Sequence, residues 1–233
     1  MKCLIIIPAY EEEKNIKNVV DNIIQNYPQY DYVVVNDGSK DKTAQICRDN
    51  GYSYLDLPIN LGIGGAVQAG YKYALKNGYD MAVQIDGDGQ HDVAFIEEMI
   101  QMMQENKAQI AIGSRFIEKQ GFQSSKARRI GINFISNLIW ICTGKKIYDV
   151  TSGFRIVDKF FIKYYSENYP SDYPEPEAIV MAIMNRAKII EVPVIMKERS
   201  EGTSSIHSWK SLYYMIKVSL AVIICRVSLG VRR

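Results

Sequence analysis

Asp86-Gly87-Asp88 carries the clearest chemistry in the chain. The apolar run Met81-Ala82-Val83-Gln84-Ile85 precedes it and reads as the end of a buried strand. Two carboxylates two residues apart, at the mouth of a strand, can hold a hard divalent cation. Gly87 leaves room for a phosphate beside the backbone. Mg2+ is typically held by one or two carboxylates plus substrate phosphates, so a cation here would serve a nucleotide diphosphate. On turn chemistry alone the same tripeptide is an ordinary turn, and its neighbours must decide between the two.

Those neighbours depend on the elements that position them. Cys3 to Ile7 is a short continuous apolar run, as in a strand buried on both faces. Ile16, Val19, Val20, Ile23 and Ile24 recur at helical spacing. Tyr32 to Val35 is a second buried strand, closed by Asn36-Asp37-Gly38-Ser39, and Asp41 is placed to cap the next helix. Strands follow at Tyr52 to Leu57, Met81 to Ile85 and Ile110 to Gly113, with helices at Gly62 to Asn77 and Val93 to Glu105. Strands separated by helices imply parallel pairing with right-handed crossovers. Ligands of such sheets lie outside the carboxyl ends of the strands. Pro8-Ala9-Tyr10, Asn36 to Ser39 and Asp86 to Asp88 all sit at such ends, so the topology brings them to one crevice.

The second half is less regular. A helix is expected over Lys126 to Thr143 and a strand over Ser152 to Val157. The proline-rich stretch Pro170 to Pro176 reads as a loop, Glu177 to Arg186 as a helix and Ile189 to Met196 as a strand. Pro193 marks an edge or bend in that strand. Ser200 to Ser205 is a Gly/Ser/Thr stretch. No linker divides the 233 residues, which points to one domain over 1–206 and a helical extension over 207–233.

Composition sets outer limits. A net charge of +2 argues against bulk-charge binding of nucleic acid. The four cysteines form no CxxC and read as small buried hydrophobes of a reducing compartment. The start of the chain runs straight into a strand with no signal-peptide pattern, and a cytoplasmic location is expected.

Taken in order, the motifs resemble the GT-A glycosyltransferases of family 2, and most of all their dolichyl- and polyprenyl-phosphate sugar synthase branch. The matching residues are Ile7 to Glu12, Asn36 to Ser39, Asn60 to Ala66, Asp86 to His91, Gly113 to Arg115, Asp149 to Arg155 and Arg199 to Ser204. Glu11 departs from the Asn usual there. The resemblance implies a single-domain α/β fold, Rossmann-like, with a mostly parallel central sheet flanked by helices and a C-terminal helix.

It also implies roles. Pro8, Tyr10, Glu12, Asp37, Gly65, Asp86 and Gly87 would bind the nucleotide-diphosphate sugar donor. Asp86, Asp88 and Gln90 would hold Mg2+ or Mn2+, which assists departure of the diphosphate as a Lewis acid. Arg115, Arg129, Ser152 and Arg155 would face the acceptor and its phosphate, with Arg199 joining the catalytic set. The implied acceptor is a polyprenyl phosphate, attacked with inversion, for cell-envelope glycan synthesis. An acceptor phosphate is already anionic and needs little base. A sugar hydroxyl of a lipid-linked glycan or polysaccharide, the other acceptor class, needs one within hydrogen-bond reach. Asp149 is the first candidate base, with Glu175 and Glu177 behind it.

Val218 to Cys225 is too short for a membrane span, which needs ~20 residues. The C-terminal helix reads as interfacial, at the inner face of the membrane, or as packed on the domain or in a homodimer. A nucleotidyltransferase is disfavoured, because no Gly-rich basic loop follows the first strand. A catalytically dead nucleotide-binding module is the remaining alternative.

Overall fold

The computed structural model describes residues 1–118, 126–197 and 208–231. Seven strands form one sheet in the order β3-β2-β1-β4-β6-β5-β7. They are β1 (Cys3–Ala9), β2 (Asp31–Asn36), β3 (Tyr54–Asp56), β4 (Met81–Gln84), β5 (Ile110–Ser114), β6 (Arg155–Asp158) and β7 (Ile189–Pro193). The helices are α1 (Ile16–Asn26), α2 (Thr43–Asp49), α3 (Gly62–Lys76), α4 (Phe95–Glu105), α5 (Lys126–Thr143), α6 (Lys159–Glu167), α7 (Pro174–Met184) and α8 (Ser208–Val231).

β1 is buried along its whole length, and its side chains alternate between two cores. Leu4 and Ile6 join α3, α5, α6 and α7 on one face, whereas Ile5 and Ile7 join α1 and α4 on the other. This two-sided burial is why the strand reads as an unbroken apolar run. All pairings are parallel except those of β6, which lies antiparallel between β4 and β5. That reversal has a consequence for the site: residues preceding β6 arrive at the same sheet edge as residues following the parallel strands.

Several boundaries differ from expectation. The third strand shortens to Tyr54–Asp56, the fourth helix begins at Phe95 and the last strand stops at Pro193 on the sheet edge. The stretch read as a loop to Pro176 ends earlier: α7 starts at Pro174, because proline suits the first helical turn, where its missing N–H has no partner to lose. Helix α6 was not expected; Asp158 caps it by accepting the Phe161 amide at 3.0 Å. Asp41 stands one residue ahead of the α2 cap, and its Oδ1 accepts the Thr43 amide at 2.9 Å. Ser200 to Ser205 lies outside the described residues.

Candidate active site

At the carboxyl edge the first three motifs are tied together by backbone contacts. The Asp37 amide donates to the Ala9 carbonyl at 2.9 Å, joining the ends of β2 and β1. A Cβ on Gly87 would sit 3.1 Å from the Pro8 carbonyl oxygen and 3.5 Å from Glu12 Cγ. The turn after β4 therefore packs directly on the loop after β1. Asp37 is buried, and its Oδ1 accepts the Leu61 amide at 2.7 Å, which draws the 60–62 loop over the crevice. Burial pushes its carboxyl above the usual range, opposed by the amides of Leu61 and Gly62. Tyr10 is 43 % exposed at the rim, and Glu12 Oε2 accepts from Asn15 Nδ2 at 2.8 Å. Gly65 lies in the first turn of α3, against Leu61.

Asp86 and Asp88 differ in environment. The Asp86 side chain is 38 % exposed, whereas Asp88 is buried and its Oδ1 accepts the Gln90 amide at 3.0 Å. Gln90 Nε2 donates to the Lys197 carbonyl, and the Lys197 amide returns a bond to the Gln90 carbonyl. Among the described residues no three His, Cys, Asp or Glu side chains gather closely enough to hold a metal by themselves. Two strand-end carboxylates still fit Mg2+ or Mn2+, which keep waters and take remaining oxygens from a diphosphate.

The loop before β6 closes the other side. Gly153 runs so near Asp86 that a Cβ there would sit 3.0 Å from Asp86 Oδ1 and from Gln84 Nε2, so any larger residue would press on the carboxylate. Ser152 and Arg155, expected to face the acceptor, are committed within the fold instead. The Ser152 hydroxyl donates to the Gly113 carbonyl at 2.7 Å. The Arg155 guanidinium donates to the carbonyls of Ser152, Glu175 and Val150, bracing the loop against α7.

Arg115 and Asp149 form a buried bidentate pair. Arg115 Nε and Nη2 donate to Asp149 at 2.8 and 2.7 Å, and the Arg115 amide adds a third bond. Asp149 has no solvent exposure, and Glu191 fixes its backbone by accepting its amide at 2.8 Å. Both carboxylate oxygens are thus occupied by a guanidinium, unlike the open geometry expected of a base. Arg129 is the more available cation. Its guanidinium lies 3.3 Å over the Phe116 ring, and its buried Nη1 has no hydrogen-bond partner among the described residues. Burial lowers its pKa; Asp149 pulls it back up and Arg115 pushes it down. Two arginines against one aspartate leave a cationic niche beside the acidic crevice.

Glu177 faces a cavity whose lining includes neither Arg115, Arg129 nor Asp149. That cavity, of about 380 Å³, is also lined by Tyr169, Tyr173, Lys217 and Val218, between α7 and α8. Burial raises the Glu175 carboxyl above the usual range while Arg155 pulls it down. Arg199 lies outside the described residues. His91, at the end of the Asp86 to His91 motif, is buried against Asp86.

A mostly parallel α/β sheet, with an acidic turn and a cationic niche at its carboxyl edge, is the architecture of a GT-A glycosyltransferase. The chain belongs to glycosyl transferase family 2, whose description matches residues 4–165. It is 32 % identical to a UDP-N-acetylglucosamine–dolichyl-phosphate N-acetylglucosaminyltransferase of Methanococcus voltae, over 94 % of this chain and 97 % of that one. It is 27 % identical to the polyprenol monophosphomannose synthase of Mycolicibacterium smegmatis, over 94 % and 86 % of the two chains. Its fold matches glucosyl-3-phosphoglycerate synthase of Mycobacterium tuberculosis, solved with Mn2+, UDP-glucose and phosphoglyceric acid, with a TM-score of 0.72 at 15 % identity over 98 % and 80 % of the chains.

Proposed function

We propose that the chain transfers a sugar from a nucleotide diphosphate to a polyprenyl phosphate. The observation that carries this reading is the Nη1 of Arg129, unpartnered among the described residues, beside the Arg115–Asp149 pair. A buried guanidinium nitrogen without an acceptor is costly, and a phosphate oxygen would satisfy it. The relatives named above act on dolichyl or polyprenol phosphates, which favours the same acceptor class here.

Asp37, Glu12 and Tyr10 line the end where the donor's base and ribose would lie. Asp86, Asp88 and Gln90 would hold the divalent cation, which supplies Lewis-acid stabilisation to the departing diphosphate. Arg129 orients the acceptor phosphate, and Arg115 holds the niche open through Asp149. An acceptor phosphate oxygen attacks the anomeric carbon as the bond to the diphosphate breaks, with inversion. No side chain need remove a proton, which suits an Asp149 already committed to Arg115.

The acceptor's tail implies contact with a bilayer, and two adjacent helices suit it. On α8, Ile216, Leu220, Ile223, Ile224 and Val227 are exposed at i, i+4, i+7, i+8 and i+11, one face of the helix. On α5, Ile130, Phe134 and Ile141 are exposed too. Val218, Val222 and Cys225, on the opposite side of α8, are buried in the core. No described helix is long and apolar enough to cross a membrane, so this face would lie in the interface.

The test is transfer of radiolabelled sugar from UDP-, GDP- and dTDP-sugars to polyprenyl phosphate in vesicles, with Mn2+ or EDTA. Metal-dependent product formation with one donor is expected. Transfer to a glycan hydroxyl, and none to the lipid phosphate, would overturn the proposal.

A further inference from the structure

Asp86 is held by more than its own turn. His91 follows five residues later and folds back beneath it, buried to 8 % exposure. His91 Nδ1 accepts the Asp86 amide at 3.0 Å, and its ring stacks on Phe154 with centroids 5.1 Å apart and planes 18° apart. Phe154 has no solvent exposure and so fixes the ring plane. Because Nδ1 is the acceptor, the proton of the neutral ring belongs on Nε2, an assignment that follows from the hydrogen bond. Nε2 lies 3.7 Å from Asp86 Oδ2. On the far side, Gly153 borders Oδ1. The carboxylate is therefore confined between an imidazole N–H and a glycine backbone, with its remaining surface open to the crevice.

We infer that His91 is the positioning residue for Asp86: one nitrogen fixes the backbone of the acidic turn and the other orients its carboxylate toward the diphosphate-bound cation. It acts through Asp86 and touches neither nucleotide nor sugar. The inference rests on the proposed role of Asp86 and Asp88. A purely structural histidine would need only the Phe154 stack, which a phenylalanine would reproduce. The Asp86 amide bond to Nδ1, and the 3.7 Å approach of Nε2 to Asp86 Oδ2, an electrostatic contact longer than a hydrogen bond, distinguish the two.

The experiment titrates whichever of UDP, GDP and dTDP the wild-type chain binds most tightly, with and without Mn2+, by calorimetry. His91→Phe keeps the stack but removes both nitrogens. It should melt cooperatively and bind metal-free nucleotide as the wild type does. Its gain in affinity from Mn2+ should fall about tenfold to a hundredfold, the usual cost of losing a group that orients a metal ligand. His91→Asn, whose Oδ1 can accept the Asp86 amide, should recover part of that gain. An undiminished Mn2+ gain in His91→Phe, or no recovery in His91→Asn, overturns the inference. If His91→Phe does not fold, His91→Asn alone decides, and a wild-type Mn2+ gain refutes it. Asp88→Ala runs alongside. If Asp88→Ala loses the Mn2+ gain while the His91 variants keep it, only the positioning role falls. If Asp88→Ala keeps it as well, the reading of the acidic turn falls too.

Discussion

Replacing Asp149 by alanine separates a structural strut from a catalytic base. The wild-type carboxylate is fully buried and accepts three bonds from Arg115, at 3.1, 2.8 and 2.7 Å. Removing it leaves the Arg115 guanidinium, 8 % exposed, without its main counter-charge. Breaking one partner of such a pair costs about 3–5 kcal/mol, because the surviving charge stays desolvated. Against a total stability of about 5–15 kcal/mol this is a large loss. At roughly 2–4 °C per kcal/mol for a chain of this size, the melting temperature should fall by about 6–20 °C. Arg115→Leu should be similarly damaging. The double variant Arg115→Leu/Asp149→Ala should recover part of the loss, since it leaves no orphaned charge, with a coupling of about 0.5–3 kcal/mol. Urea melts of the four proteins give the cycle, and turnover at a temperature where all are folded gives the chemistry. An Asp149→Ala protein that melts within a degree or two of wild type, yet has lost turnover, would refute the strut and restore the base.

Other consequences follow from the same geometry. Arg129→Met should leave stability unchanged or improve it, because a buried unpartnered N–H disappears. It should also lower kcat/KM for the lipid phosphate by about tenfold to a hundredfold, the worth of a bond to a charged group. Glu177 has its carboxyl raised by burial above the ordinary 4.5. The folded state thus binds the proton more tightly than the unfolded chain. That contribution to stability is present at low pH and is lost as pH rises through the raised value. Glu177→Gln should therefore gain on wild type in thermal melts near pH ~8 but not near pH ~4, and it should keep its turnover if the acceptor is a phosphate. Ile141→Glu and Ile224→Glu lie at positions 76 % and 64 % exposed. They should not change the melting temperature, but should weaken sedimentation with anionic vesicles about tenfold or more, given 1.5–3 kcal/mol for burying one such side chain. Retained vesicle binding with a halved sedimentation mass in solution would instead identify that face as a dimer contact.

The chain's local patterns were enough for the outline of this protein. Continuous apolar runs marked β1, β2, β4 and β5, and the helical spacing of Ile16 to Ile24 marked α1. Strand-helix alternation then required Pro8, Asp37 and Asp86 to meet at one edge, since parallel strands place their carboxyl ends together. Those features are local or topological, and periodicity encodes them. The direction of β6 was not encoded in this way. A four-residue strand carries no signal of orientation, and packing between β4 and β5 decided it. Only that reversal brings Gly153 against Asp86 and Phe154 under His91. Partner choice among charges was likewise a tertiary matter. Arg115 and Asp149 are 34 residues apart, and each would be a plausible ligand group when read alone. Burial makes an unpaired charge too costly to keep, so the fold pairs Arg115 and Asp149 with one another.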